Sequence, residues 1–465
     1  MSEKRQYFFC GVGGSGMLPL ALILRARGFA VSGSDRALDQ GRTAPKFDFL
    51  RKEGVALFAQ DGSGVVSKEQ IIVASAAVEE TVPDIARANA LGAPRVTRAM
   101  LLAELFNAAE TPIGVAGTSG KSTTTGMIAW ILSAAGRDPT VMNGAVMKNF
   151  AGPHAEFASA LVGAGAAFVS ELDESDGSIA LFRPAVAVLN NISLDHKSLD
   201  ELRSLFGDYL AASRVAILNA DDAETIALRS RARRALAFSA ASADADLAAR
   251  DIKVEPFGVS FLAAHKSGAA ASVRLSVPGR HNVANALAAM LAAMEAGVPF
   301  ADCARLLEGY SGVKRRFEMV GEAKGVIVID DFAHNPDKIA ATLRTLRDFP
   351  GRLLVLFQPH GFGPLAKMRR ELAESFAEGM GDADRLWIPE PVYYGGTTDR
   401  KVSSGDLAGD IAAAGRAATA LPTRDECARE IVQEAKPGDR VVIMGARDDT
   451  LPAFAAGILE AIARR

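Results

Sequence analysis

The chain has 465 residues, 49% hydrophobic and 23% charged, proportions that exclude a disordered or low-complexity protein. At about 150 residues per domain, that length asks for three folded units. A net charge of −3 excludes a general polyanion binder such as a nucleic-acid protein, yet permits a local phosphate site built from a few residues.

Short β-branched or aromatic runs alternate with longer Ala/Leu-rich helical stretches in three successive blocks, the pattern of parallel α/β units. The first block opens with a strand at 7–12, a glycine turn and a helix at 18–27, then strands at 29–32, 55–58 and 71–74. It closes at Phe106-Asn107, and Glu110-Thr111-Pro112 reads as a linker. The second block restarts with a strand at 113–117, a second glycine turn and a helix at 123–135, then strands at 167–170 and 185–189, each followed by a polar cluster. The Ala-rich stretch 235–264 has too weak a pattern to assign, and a break at 311–313 precedes a third block with strands at 326–329, 353–357, 385–388 and 440–444. The expected domains are therefore 1–107, 108–312 and 313–465. Cys10, Cys303 and Cys427 form no C-x-x-C pair, so neither a disulfide framework nor a zinc cluster is expected. Apolar runs such as 286–294 stop well short of the roughly 20 residues of a membrane span. The first residues run straight into a strand-like segment without a signal-peptide layout. A cytoplasmic protein with no membrane partner is expected.

The strongest chemical signal is Gly117-Thr118-Ser119-Gly120-Lys121-Ser122-Thr123, between a buried-looking strand and a helix. Such a turn aims backbone N–H groups at a phosphate, with the lysine on the terminal phosphates and the hydroxyl of Ser122 on magnesium. Val115 stands where the strict P-loop pattern has glycine, so this is a variant. A first turn, Gly11-Val12-Gly13-Gly14-Ser15-Gly16, fits G-x-G-x-x-G and is followed by Asp35 after a second strand. It points to a nucleotide-type ligand and leaves NAD and a UDP-sugar both open. Four carboxylates in 171–176 and the segment 190–196 follow strand ends, where carboxylate oxygens suit magnesium. In Pro278–Asn285 the Asn side chains suit a base edge, while a helix N-cap role explains Asn282 equally well. Lys314-Arg315-Arg316 brings three cations to the start of the third block, and Asp330-Asp331-Phe332-Ala333-His334 follows a strand there.

Taken in order, E-L-D-E-S-D at 171–176, N-I-S-L-D-H at 191–196, G-R-H-N-V-A-N at 279–285, R-R-F-E at 315–318 and D-D-F-A-H-N-P at 330–336 join the G-K-S turn in a series that resembles the Mur ligase family along essentially the whole chain. The resemblance implies an α/β fold of three domains: a Rossmann-like N-terminal domain for a UDP-sugar, a P-loop-type central ATPase domain, and a Rossmann-like C-terminal domain admitting the amine. It implies an ATP-dependent amide ligase of peptidoglycan precursor synthesis, using Mg2+ with Mn2+ as an alternative, that joins an amino acid to the carboxylate of UDP-N-acetylmuramate through an acyl phosphate. Segments 13–17 and 31–35 are similar to members that add L-alanine, the favoured substrate. Segments 189–191 and 330–334 are similar to members that attach a recycled muropeptide.

Carried onto this sequence, the family implies that Lys121, His196, Arg316 and His334 serve catalysis. Gly117, Thr118, Ser119, Gly120, Lys121, Ser122, Thr123, His281, Asn282, Asn285, Arg316 and Asp331 would bind ATP. Gly13, Gly14, Ser15, Gly16, Met17, Ser34 and Asp35 would bind the UDP-sugar, and Ser122, Glu171 and His196 the metal. A monomer or weak homodimer is expected. Departures from the family pattern are Ser119 in place of a usual His, Ser122 for Thr, Asn335 for a second His, and Gly361-Phe362-Gly363 without the usual Arg. They motivate a further alternative, a non-catalytic UDP-sugar-binding or regulatory protein.

Overall fold

The computed structural model describes residues 5–76, 78–152, 155–193, 197–392, 400–446 and 448–465. The chain divides into two compact units, Met1–Lys253 with Gly258–Val313, and Val254–Phe257 with Lys314–Arg465.

The first unit carries two sheets. In the five-stranded one the order is Ala56–Phe58, Ala30–Ser34, Gln6–Cys10, Gln70–Ala74, Arg95–Thr97, all parallel. The central strand, QYFFC, is buried and apolar from Tyr7 to Cys10 because helices cover both faces of a parallel sheet. In the ten-stranded sheet, Thr111–Ala116 lies between Val186–Leu189 and Ala167–Glu171, parallel to both. Beyond Val186–Leu189 come Val215–Asn219, Ala235–Ser239, Leu247–Glu255, Gly258–His265 and Ala270–Leu275; beyond Ala167–Glu171 come Thr140–Met142 and Ala160–Leu161. The second unit holds six strands ordered Glu318–Ala323, Val326–Asp331, Arg440–Gly445, Leu353–Gln358, Arg385–Pro389, Ala418–Leu421, parallel except for the first.

The sheets of the first unit share one apolar core. It runs from Phe9 and Leu24 through Phe106 to Phe168, Leu189 and Tyr209. Phe106 meets Phe168 and Phe182 edge-on, with centroids 5.8 and 5.4 Å apart, a favoured aromatic geometry.

Two sequence expectations need correction. Thr111 and Pro112 are not linker; they begin the strand Thr111–Ala116, where a proline near the strand's start disturbs the ladder least. The unassigned stretch 235–264 forms the three strands Ala235–Ser239, Leu247–Glu255 and Gly258–His265; alanine on both faces had blurred the alternation. The three cysteines are buried and free, and burial pushes each thiol up to about 12, far from a reactive thiolate. Among the described residues no helix is long and apolar enough to cross a membrane.

Candidate active site

Three adjacent parallel strands of the ten-stranded sheet end side by side. Ala116 pairs with Leu189 and Val115 with Glu171, so the G-K-S turn, segment 190–193 and the acidic segment leave one sheet edge together, as ligand sites in open α/β sheets do. The turn opens the helix Lys121–Ala134, with Gly120 as its N-cap in the left-handed region at φ +78°, which only glycine adopts cheaply.

Asparagines fasten this turn. Asn191 Oδ1 accepts from Thr118 Oγ1 and from the Ser119 N–H, both at 2.9 Å, and its Nδ2 donates to Ser119 Oγ at 2.9 Å. Asn190 Nδ2 donates to Thr124 Oγ1 at 2.9 Å, and Thr124 Oγ1 donates to Asn285 Oδ1 at 3.2 Å. Asn285 Nδ2 in turn donates to Asn282 Oδ1 at 3.0 Å, and Asn282 Nδ2 to the Pro278 carbonyl at 2.7 Å. Asn282 and Asn285 are therefore buried and hydrogen-bonded into the network that holds the turn's helix. Asn282 is not the N-cap, because the helix Arg280–Glu295 starts earlier, capped by Gly279. His281, beside them, is exposed.

Lys121 Nζ donates to the Gly117 carbonyl at 2.7 Å and pairs with Glu174 Oε2 at 2.8 Å. The ammonium is thus stored against its own loop. Burial would raise Asp173, but hydrogen bonds from Ser175 and the fields of Lys121 and Arg98 outweigh it and hold the carboxyl below its ordinary range. Glu171 Oε2 is buried and makes no hydrogen bond, and glycine at 144 leaves the space its carboxylate fills. Ser122 is buried at the start of the helix. His196 lies outside the described residues, and among the described residues no three His, Cys, Asp or Glu side chains converge as a metal cluster.

At the first turn, the Gly11 and Val12 N–H groups donate to the Ser34 carbonyl, both at 2.9 Å, tying the turn to the neighbouring strand. Asp35 accepts from the Gly13 N–H and, as N-cap of a short helix, from the Ala37 N–H, each at 2.8 Å. The buried Lys46 donates to the Gly13 carbonyl at 3.0 Å. The Gly13 residue is thus gripped at both its N–H and its C=O. Ser15 is exposed and Gly16 begins the helix Met17–Ala26. Met17, at 5% exposure, and Ser34, at 0%, face the core, Ser34 donating to buried Asp84.

In the second unit, the strands ending at Asp331, Gly445 and Gln358 are adjacent and in register. Arg315 is buried there. Its Nε pairs with Asp330 at 3.2 Å, and Nη2 donates to the Gly445 carbonyl at 2.8 Å. Burial pushes Asp330 up to about 6 against the pull of Arg315. Arg316 instead stacks over the Phe332 ring, 4.5 Å from its centroid. Asp331 accepts from the Phe317 N–H at 3.2 Å and from the Thr342 hydroxyl, so its carboxylate braces the loop. His334 Nδ1 bonds the Phe332 carbonyl at 2.8 Å, and its ring stands edge-on to His360, with centroids 5.2 Å apart. Burial, helped by nearby Lys338, lowers His334 to about 3, which keeps the imidazole neutral near pH 7.

These features can be set against known proteins. Residues 6–110 match the Mur ligase family catalytic domain, 115–293 the Mur ligase middle domain, and 315–447 the Mur ligase glutamate ligase domain. The UDP-N-acetylmuramate–L-alanine ligase of Geobacter sp. (strain M21) is 34% identical over 448 residues, covering 94% of each chain. The chain belongs to the Mur ligase family. Its counterpart from Acidithiobacillus ferrooxidans is 36% identical over 456 residues, 95% of each. Among solved structures, the UDP-N-acetylmuramate–alanine ligase of Thermotoga maritima superimposes with a TM-score of 0.79 at 25% identity, covering 98% of each chain. A murein peptide ligase of Psychrobacter arcticus gives 0.72 at 26% identity, covering 99% of each.

As a Mur ligase this chain is an ATP-dependent enzyme of three α/β domains. Its departures have local reasons. Asn335 caps the helix Pro336–Arg347, its side chain accepting from the Lys338 N–H at 3.0 Å. Gly361 sits at φ +143° before the helix Phe362–Gly379, a conformation closed to the missing arginine. Ser119 takes the Asn191 bond described above. Glu174, Asn190 and Asn191 lie in the segments that the sequence placed at the ligand edge, without an individual role there, whereas Lys46 carries no motif and was not singled out.

Proposed function

We propose that this Mur ligase joins L-alanine to the carboxylate of UDP-N-acetylmuramate in the cytoplasm, as a step of peptidoglycan precursor synthesis. The observation that carries the reading is the G-K-S turn bearing a stored lysine at the edge shared with Glu171, on a chain aligned end to end with L-alanine-adding relatives. Lys121 leaves Glu174 for the terminal phosphates of ATP as they settle on the N–H groups of the turn. A carboxylate oxygen of the muramate takes the γ-phosphoryl group, giving an acyl phosphate and ADP. The alanine nitrogen then attacks the acyl carbon, phosphate departs with the C–O electron pair, and the nitrogen loses a proton. Positioning and charge neutralisation supply most of the acceleration in such transfers. Within the second unit, His334 is neutral near pH 7 and would not protonate an amine beside it.

Mg2+, or Mn2+ in its place, fits the residues present. The unpartnered buried oxygen of Glu171 needs a cation, and one or two carboxylates with phosphates and water are the usual holding set for magnesium. Glu171 and Ser122 would hold it, and when bound it neutralises charge developing on the transferring phosphoryl group.

The test is phosphate release by the purified chain supplied with ATP and Mg2+. Release that requires both UDP-N-acetylmuramate and L-alanine supports the reading. Release with a recycled tripeptide in place of L-alanine would move the assignment to the murein peptide ligase branch, and release without any UDP-sugar would defeat both.

A further inference from the structure

The first turn holds no cation of its own: between Gly11 and Gly16 lie only Val12, Gly13, Gly14 and Ser15. A pyrophosphate bound there needs positive charge from elsewhere. Lys46 is already committed to the Gly13 carbonyl. Arg98 is not. It opens the helix Arg98–Asn107, half-buried, and among the described residues it has no hydrogen bond and no ion pair.

Its guanidinium lies against Gly16. A Cβ placed on Gly16 would come within 3.0 Å of both Arg98 Cδ and Nη1. Gly16 has an ordinary right-handed conformation, φ −96° and ψ −16°, so backbone conformation does not demand glycine there. Room for the guanidinium does. The base of Arg98 is also rigid: Thr97 caps the helix by accepting from the Met100 N–H, and Leu101, Leu102 and Phe106 are buried in the core. A half-buried guanidinium without a partner is costly, and its planar fork of N–H donors pairs with two oxygens of a phosphate or a carboxylate.

We propose that Arg98 binds the diphosphate of the UDP-sugar, supplying the cation that the first glycine turn lacks. The proposal rests on reading that turn as the UDP-sugar site. Asp173 feels the field of Arg98 without pairing with it, so a diphosphate arriving beside Gly16 meets no competing salt bridge.

Calorimetric titration of the full chain with UDP tests this. Loss of a charge-assisted bond should weaken UDP binding about tenfold or more in Arg98→Ala, with Arg98→Lys recovering part of it. ATP affinity should stay unchanged, which a general loss of fold would not allow. If Arg98→Ala melts early, Arg98→Gln keeps the stem against Gly16 and replaces it in the titration. Equal UDP affinity in wild type and variant overturns the proposal. So does weakening confined to UDP-N-acetylmuramate with UDP binding intact, because that would place Arg98 on the sugar's carboxylate. A wild-type chain that fails to bind UDP at all defeats instead the reading of the turn itself.

Discussion

The two glycine turns of the first unit solve the same problem with opposite provisioning. Both connect a buried parallel strand to the N-terminus of a helix, where the proposed function sets a phosphate. The central turn carries its own lysine, stores it on Glu174, and is braced by Asn190, Asn191 and Asn285 from two other segments. The N-terminal turn carries no cation and is gripped by Asp35 and Lys46, with Arg98 alongside. A loop that must drive phosphoryl transfer keeps its charge on the chain segment that moves with the phosphate. A loop that only holds a diphosphate can borrow charge from rigid helices nearby.

The contrast breaks most visibly at Lys121. Lys121→Ala should lower phosphate release by roughly a thousandfold or more, while UDP affinity, measured by calorimetry, stays at the wild-type value. A matching loss of UDP affinity would show that the turns are not independent. Asn191→Ala removes four side-chain bonds to the central turn, and small misplacements of a phosphate loop cost on the order of 10–100-fold. The loss should appear in kcat/KM for ATP, with KM for the UDP-sugar unmoved. Lys46→Met tests the borrowed side: releasing the Gly13 carbonyl should raise KM for the UDP-sugar by about three- to tenfold and leave kcat nearly intact.

His334 gives the smallest effect and serves as a control that neither turn should feel. Its folded value, about 3, lies below the ordinary 6.5. The neutral ring therefore stabilises the fold fully above pH 6.5, and that contribution is lost as pH falls towards 3, because the unfolded chain takes up a proton the folded one refuses. Thermal melts at pH 7 and pH 4.5 should show a smaller acid loss in His334→Gln, by about 1 kcal/mol after allowing for partial solvent contact. An identical acid loss in both proteins would mean the ring titrates normally.

The same contrast explains what could be read from sequence. The central turn was legible because Gly120, Lys121, Ser122 and Thr123 are consecutive, so one short window holds the N-cap, the cation and the hydroxyl. The strands that deliver it were legible too, since strands buried on both faces, such as Val186–Leu189, are apolar at every position. Lys46 and Arg98 were not legible. Each is an ordinary cation on an amphipathic helix, and only the fold brings it to the turn. The hydrogen bonds of Asn282, Asn285 and Asp331 were not legible for a related reason: a motif does not say which partners a buried amide or carboxylate takes within the fold. The edge strands of the ten-stranded sheet went unseen because alanine gives no face contrast.

The aromatic joint of Phe106 with Phe168 and Phe182 bears on how this protein comes apart. Because the first two sheets share that core, neither can melt without exposing the other's interior, so residues 5–313 should unfold as one cooperative block. Calorimetry of the intact chain should then show two transitions rather than three, and cutting the chain after residue 107 should yield aggregation-prone fragments instead of a working ATPase module.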